Sequence, residues 1–279
     1  MRARSLAAGL LGLFLAGATT AQDAPPIAYE TFTLDNGLQF IVHEDHSAPI
    51  VHVEIWYDVG SAHEPPGRSG FAHLFEHMMF IDTENLEQGE FDSYINRAGG
   101  TLNGTTDKDR TAYYETVPSN HINVVLWLEA DRMSNLVIDE ANFRREREVV
   151  KEERRLRVDN QPYGEAIMTI DTLGQDWEPY RHTVIGSMDD LDAATADDAR
   201  QFYDRFYVPN NAAVAVAGDV TVAQVRALAE EYFGGIPRGP ERVTLPPVPP
   251  VPRTDDERRV TLEDDQATLP LFLSAYSIP

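Results

Sequence analysis

Two histidines and a glutamate fall within five residues of this chain, His73-Leu74-Phe75-Glu76-His77. At about 100° per residue in a helix, His73 and His77 lie about 40° apart on one face and Glu76 about 60° to the other side of His73. Two imidazoles and a carboxylate then point into one sector. Burying such a group with nothing to bind leaves charge and hydrogen bonds unpaired, which is costly. A metal ion removes that cost. Two His at i, i+4 can grip one zinc ion, with the glutamate placed to act on a water at the metal. The chain has no cysteine, so any metal must sit on His, Asp and Glu, and thiolate chemistry and disulfides are excluded.

A catalytic zinc usually takes three protein ligands, so one more has to come from elsewhere. The segment from Phe143 to Val158 reads as a charged helix capped by Asp139. Within it, Glu146, Val149, Val150 and Glu153 follow i, i+3, i+4, i+7 and share one face. The two valines are the apolar pair, so that face is expected to point inward with both glutamates. A rise of about 1.5 Å per residue puts Glu146 and Glu153 about 10 Å apart, too far for both to hold one ion. One is a ligand and the other orients a histidine; geometry does not choose between them.

Strands and helices interleave along the chain without regular β-α-β crossovers, which reads as α+β. Residues 29–42 form two strands around Asp35-Asn36-Gly37, a hairpin turn signal. Val51, Val53, Ile55 and Tyr57 alternate with His52, Glu54, Trp56 and Asp58 as in a half-buried strand. Helices are expected over 71–80, 91–98, 119–133 with Ser119 as cap, 165–173, 196–207 and 224–233, a hairpin over 101–117, and a short buried strand over 212–217. Residues 236–252 are rich in proline, and from Arg259 a new strand-like segment starts.

The first residues carry Arg2 and Arg4, then an apolar run from Leu6 to Ala16, then small residues ending at Ala21. That is the order of a secretory signal peptide. The organisation expected is therefore signal peptide 1–21, leader 22–28, a main domain 29–240, a linker 241–258, and the first strand of an incomplete second domain, 259–279. No later stretch reaches the length of a membrane span. The net charge is −23, so phosphate backbones are repelled and nucleic acid is a poor partner.

The H-x-x-E-H order is the reverse of H-E-x-x-H and is the inverted-zincin signature. Around it stand Glu64-Pro65-Pro66-Gly67-Arg68-Ser69-Gly70, Met78-Met79-Phe80, Asn103-Gly104-Thr105-Thr106, Glu146-Arg147-Glu148-Val149-Val150-Lys151-Glu152-Glu153, and Tyr207-Val208-Pro209-Asn210-Asn211 leading to Gly218-Asp219. In this order they resemble the insulinase/pitrilysin family of zinc metallopeptidases, from about Tyr29 onward. The resemblance implies a mostly antiparallel sheet packed with helices and one Zn²⁺ per chain. It implies His73, His77 and Glu153 as ligands, Glu76 as general base and Glu146 as the glutamate behind the ligands. It also implies hydrolysis of extended or unfolded peptides, with substrate paired on the edge strand at Asn103, Gly104 and Thr105. The alternative within the same fold is a non-catalytic subunit or peptide-binding scaffold. The expected location is the periplasm of a Gram-negative cell, and the expected partner, besides the peptide, is a second metallopeptidase-like domain or subunit. Such a domain supplies an arginine–tyrosine pair in the family, and the chain resembles a partial copy of a longer protein. By itself it is expected to bind zinc yet cleave poorly. Asp82 departs from the family pattern, standing where many relatives have glycine.

Overall fold

A computed structural model describes residues 27–250 and 257–276. The expected signal peptide, most of the leader, part of the linker and the last three residues lie outside them. No helix among the described residues is long and apolar enough to cross a membrane.

The elements run β1 (Glu30–Thr33), β2 (Gln39–Glu44), β3 (Ile50–Tyr57), α1 (Phe71–Met78), α2 (Glu90–Ala98), β4 (Thr101–Thr106), β5 (Thr111–Pro118), α3 (Ile122–Ser134), α4 (Glu140–Arg154), α5 (Gly164–Leu173), α6 (Met188–Ala193), α7 (Ala196–Phe206), β6 (Ala212–Gly218) and α8 (Val222–Phe233). The fold is α+β. One six-stranded sheet has the order β1-β2-β6-β3-β5-β4, antiparallel except where β2 runs parallel to β6. Strand alternation gives β3 one apolar face: Val51, Val53, Ile55 and Tyr57 are buried. Against that face pack Phe71, Leu74, Phe75 and Met78 of α1, Val125, Leu126 and Leu128 of α3, and Val225, Ala229 and Phe233 of α8. Each such valine, leucine, methionine or phenylalanine contributes about 1.5–3 kcal/mol on burial.

Local capping places the helix starts. Asp139 accepts from Ala141 N and Asn142 N at the start of α4. Thr195 and Asp198 form a capping box on α7, and Thr221 accepts from Gln224 N at α8. Each cap satisfies backbone donors that have no partner within the helix. Ser119 does not cap α3 as expected. Its hydroxyl donates to Asp219 Oδ2 at 3.1 Å, and a 3₁₀ turn over Ser119–His121 precedes the helix. α4 ends at Arg154 and continues as a π-helical turn, Arg155–Asp159.

The inward face of α4 also differs from expectation. Val149 is 45% exposed, whereas Asn142, Phe143, Glu146, Val150 and Lys151 are buried. The buried arc is centred on Glu146 and Val150, and Val149 lies about 100° from Val150. Lys151 takes an inward position because Asp192 Oδ1 lies 2.5 Å from its Nζ. Residues 257–276 form no strand or helix. They lie beside α5, where Tyr163 N donates to Asp264 Oδ2 at 2.7 Å and Arg258 Nη1 to the Leu173 carbonyl at 3.1 Å.

Candidate metal centre

The i, i+4 spacing of α1 places the His73 and His77 rings 4.9 Å apart, nearly perpendicular. α1 packs against α4 and β4, so the two rings face the last turns of α4. There Glu153 Oε2 lies 3.6 Å from His73 Nε2 and 3.1 Å from His77 Nε2. The three side chains offer one donor atom each, all within 4.8 Å of one another. Zinc–ligand distances near 2.0–2.1 Å in a tetrahedron imply donor separations of about 3.3 Å, and the two His–Glu spacings bracket that value. Burial first, and then the neighbouring His77, push His73 down to about 4. Its imidazole is therefore neutral at pH 7, the form that binds metal. His73 Nδ1 is buried without a hydrogen-bond partner among the described residues. The donor set and the neutral, partly orphaned imidazole fit a zinc ion.

Glu76 lies beside this cluster. Its Oε2 accepts from Thr106 Oγ1 at 2.5 Å, and burial raises its carboxyl above the ordinary range against the pull of that bond. Glu153 Oε1 pairs with Arg157 Nη1 at 2.6 Å, from the π-helical turn after α4. Arg157 lies outside every motif read from the sequence, and Thr106 entered only as the last residue of Asn103-Gly104-Thr105-Thr106, with no role assigned. A signal for Thr106 existed: it lies two residues after Gly104 and so on the same face of β4.

Glu146 is buried on α4, and its Oε1 accepts from Arg145 Nε at 3.1 Å. It lines a cavity of about 370 Å³ together with Glu76, His77, Phe80, Asp92 and Asn103. β4 is an edge strand. Its three candidate residues take different places. Asn103 borders the cavity and its Oδ1 accepts from Gly104 N at 2.9 Å. Gly104 lies against α1: a Cβ there would sit 3.0 Å from Glu76 Cγ and 3.2 Å from Phe80 Cε2. Thr105 belongs to the opposite face, where its Oγ1 accepts from Arg110 Nη1 at 2.6 Å. Asp82 closes the turn after α1, its carbonyl accepting from Val137 N at 3.0 Å. A larger recess, about 690 Å³, lies between Trp56, Arg110, Tyr180 and Arg242 and contains none of the candidate residues.

The insulinase (peptidase family M16) profile matches residues 39–171, the stretch holding all the candidate site residues, and the peptidase M16 inactive-domain profile matches 193–279. The chain belongs to peptidase family M16. The second match includes β6, which sits between β2 and β3 in the sheet, so both matched stretches contribute to one layer. The chain is 35% identical over 252 residues to the zinc protease PqqE of Helicobacter pylori, covering 90% of this chain and 57% of that protein. A crystal structure of a protease from Helicobacter pylori superposes with a TM-score of 0.74 at 36% identity, over 79% of this chain and 53% of that one. The first half of the Escherichia coli periplasmic protease PqqL gives a TM-score of 0.68 at 25% identity, over 78% and 48%. The chain thus spans about half the length of these relatives. M16 membership supports a zinc metallopeptidase role.

Proposed function

We propose that this M16 chain takes part in zinc-dependent endopeptidase chemistry on extended or unfolded peptides, with His73, His77 and Glu153 holding one zinc ion and Glu76 acting as general base. The observation that carries the reading is the approach of two imidazole Nε2 atoms to one carboxylate oxygen, at 3.6 and 3.1 Å. When bound, zinc supplies a Lewis acid that polarises the scissile carbonyl and brings the pKa of a water it holds to about 7.

The chain's own residues do the rest. Glu76 accepts a proton on its carboxylate, and the Thr106 hydroxyl occupies Oε2, which leaves Oε1 for that proton. A carboxyl raised by burial is a better base at neutral pH than a solvated one. The free edge of β4 offers backbone donors and acceptors to an extended peptide, which gives affinity with little sequence demand. The signal-like N-terminus, together with the periplasmic relative, supports a periplasmic location. A second metallopeptidase-like domain or subunit completes the substrate clamp. The match of residues 193–279 to an inactive-domain profile favours one other reading, a non-catalytic subunit or peptide-binding scaffold.

Cleavage of a fluorogenic peptide with and without a chelator separates the two readings. Chelator-sensitive cleavage, restored by zinc, is expected; zinc binding with no cleavage in any assembly containing this chain would favour the scaffold. In the same preparation Glu153→Gln should lose zinc far more than Glu146→Gln, for which about 10–100-fold in affinity or activity is expected. Full zinc occupancy in Glu153→Gln would contradict its role as ligand.

Gly104 supplies a steric test. Gly104→Val adds bulk against Glu76 Cγ and Phe80 without touching a ligand. A displacement of about 1 Å in a catalytic group can cost 10²-fold. Cleavage should fall by about that factor with zinc retained, and an unchanged rate would show that the β4–α1 contact does not hold Glu76.

A further inference from the structure

The helix that carries His73, Glu76 and His77 begins without a cap of its own. Gly70 occupies its N-cap position at φ 92° and ψ 0° and has no side chain with which to accept from the first turn. Glycine is required there twice over. The φ is left-handed, and a Cβ would meet the Ile185 carbonyl oxygen at 2.9 Å and Gly186 Cα at 3.1 Å. The first backbone donors of a helix still need partners. They find them on a distant carboxylate: Glu64 Oε2 accepts from Gly70 N at 3.0 Å and Glu64 Oε1 from Ala72 N at 2.8 Å.

The Glu64 side chain is fully buried, and a glutamate is almost never so unless paired. Its partner is His182, whose Nε2 lies 2.9 Å from Glu64 Oε2 and 2.8 Å from the Ser61 carbonyl. With two acceptors around it, Nε2 carries the proton and donates. Burial raises the Glu64 carboxyl above the usual range, and the bond to Glu64 raises His182 above the ordinary histidine range. The loop that brings His182 is tied to the same helix start: Ser69 Oγ donates to Asp190 Oδ2 at 2.5 Å and Ser187 N to Ser69 Oγ at 3.1 Å.

We propose that Glu64, held by His182, is a positioning residue for the metal-binding helix: it fixes the first turn of α1 so that His73, the residue after Ala72, presents Nε2 toward Glu153. The inference rests on the zinc reading above and adds a residue pair outside the ligand set. Without the carboxylate, Gly70 N and Ala72 N lose their acceptor, and the first turn can unwind or rotate. His73 sits in that turn and moves with it, whereas His77, one turn further on, does not.

The test uses the whole chain and needs no cleavage. Zinc affinity is measured by competition with a chromophoric chelator, and site geometry by the visible absorption of the Co²⁺-loaded protein. Both are taken well below the melting temperature of each apo variant. Glu64→Ala should weaken zinc at least about 10-fold and shift the Co²⁺ bands. Glu64→Gln should fall between, since its amide oxygen can accept one backbone N–H but its NH₂ cannot accept the other. His182→Ala should weaken zinc, and His182→Gln, which keeps a donor toward Glu64, should recover most of the loss. Val225→Ala serves as control: it removes buried volume from α8, which packs on α3 and β2, and should lower the melting temperature with zinc affinity and Co²⁺ bands unchanged. If Glu64→Ala does not fold, the Glu64→Gln and His182 variants decide. The proposal is overturned if these variants keep wild-type affinity and Co²⁺ bands, or if Val225→Ala loses as much affinity as they do. A wild-type chain that binds neither Zn²⁺ nor Co²⁺ would overturn the zinc reading as well, so the two failures are distinguishable.

Discussion

Glu76→Gln keeps its zinc and loses peptide hydrolysis by about 10²–10⁴-fold, the usual worth of a general base. The substitution is nearly isosteric, and the amide oxygen can still accept from Thr106 Oγ1, which now donates to Glu76 Oε2 at 2.5 Å. The packing of Glu76 against Gly104 is therefore preserved. What goes is the ability to take up a proton, because the second carboxylate oxygen has become an NH₂ donor. His73, His77 and Glu153 are untouched, so metal content should match wild type. Metal analysis of the purified variant and its cleavage rate at equal zinc check both halves. A variant that lost zinc would make Glu76 a ligand, and one that cleaved at the wild-type rate would remove it from the reaction.

Arg132→Met destabilises the fold by about 3–5 kcal/mol, the cost of leaving a buried charge without its partner. Arg132 of α3 is fully buried, as are Glu129 and Glu115. Its Nε donates to Glu129 Oε2 at 2.8 Å, and its Nη2 donates to Glu115 Oε1 at 3.0 Å and to Glu129 Oε1. Burial, and then Glu129, push Glu115 well above the usual carboxylate range, and the guanidinium is, among the described residues, the one cation that both carboxyl groups contact. The same guanidinium lies over the rings of Phe91 and Tyr113, at 4.5 and 4.4 Å from their centroids. Methionine fills much of the volume but leaves Glu129 unpaired in the core. Thermal melting should show a fall on the order of 10 °C for a domain of this size. Adding Glu129→Gln and Glu115→Gln to Arg132→Met should recover much of the loss, since a buried ion network replaced as a whole is often near neutral. A single variant within about 1 kcal/mol of wild type would contradict the assignment.

Much of the fold was legible because its signals are local. The alternation of β3, the Asp35-Asn36-Gly37 turn and the Asp139 cap each act within a few residues, and the structure has them where the residues placed them. Ser119 misled because a serine beside a helix start can satisfy either the helix or a distant group. The group it satisfies, Asp219, is brought near by pairing of β6 with β3, which no local pattern announces. α6 was missed because six residues hold too little periodicity to read. Val149 misled for a related reason: two adjacent valines on a helix lie about 100° apart, so both cannot centre one face. The inward arc was settled by what α4 packs against, including an Asp192 that makes a buried Lys151 tolerable.

The candidate site divides along the same line. His73, Glu76 and His77 share one short helix, and the helical repeat alone brings two rings and a carboxylate to one side. Periodicity put Glu146 and Glu153 on one face but could not rank them; family resemblance did that. Only the packing of α1 against α4 puts Glu153 Oε2 beside both imidazoles and leaves Glu146 with Arg145 at the cavity wall. Thr106 on Glu76, Arg157 on Glu153 and the Glu64–His182 pair at the start of α1 belong to the tertiary structure as well. The reason is physical. A helix or strand repeat fixes angles within one element, because backbone geometry is the same everywhere. The meeting of two elements depends on summed burial and on hydrogen bonds between residues far apart in the chain, and no single stretch of sequence carries that sum.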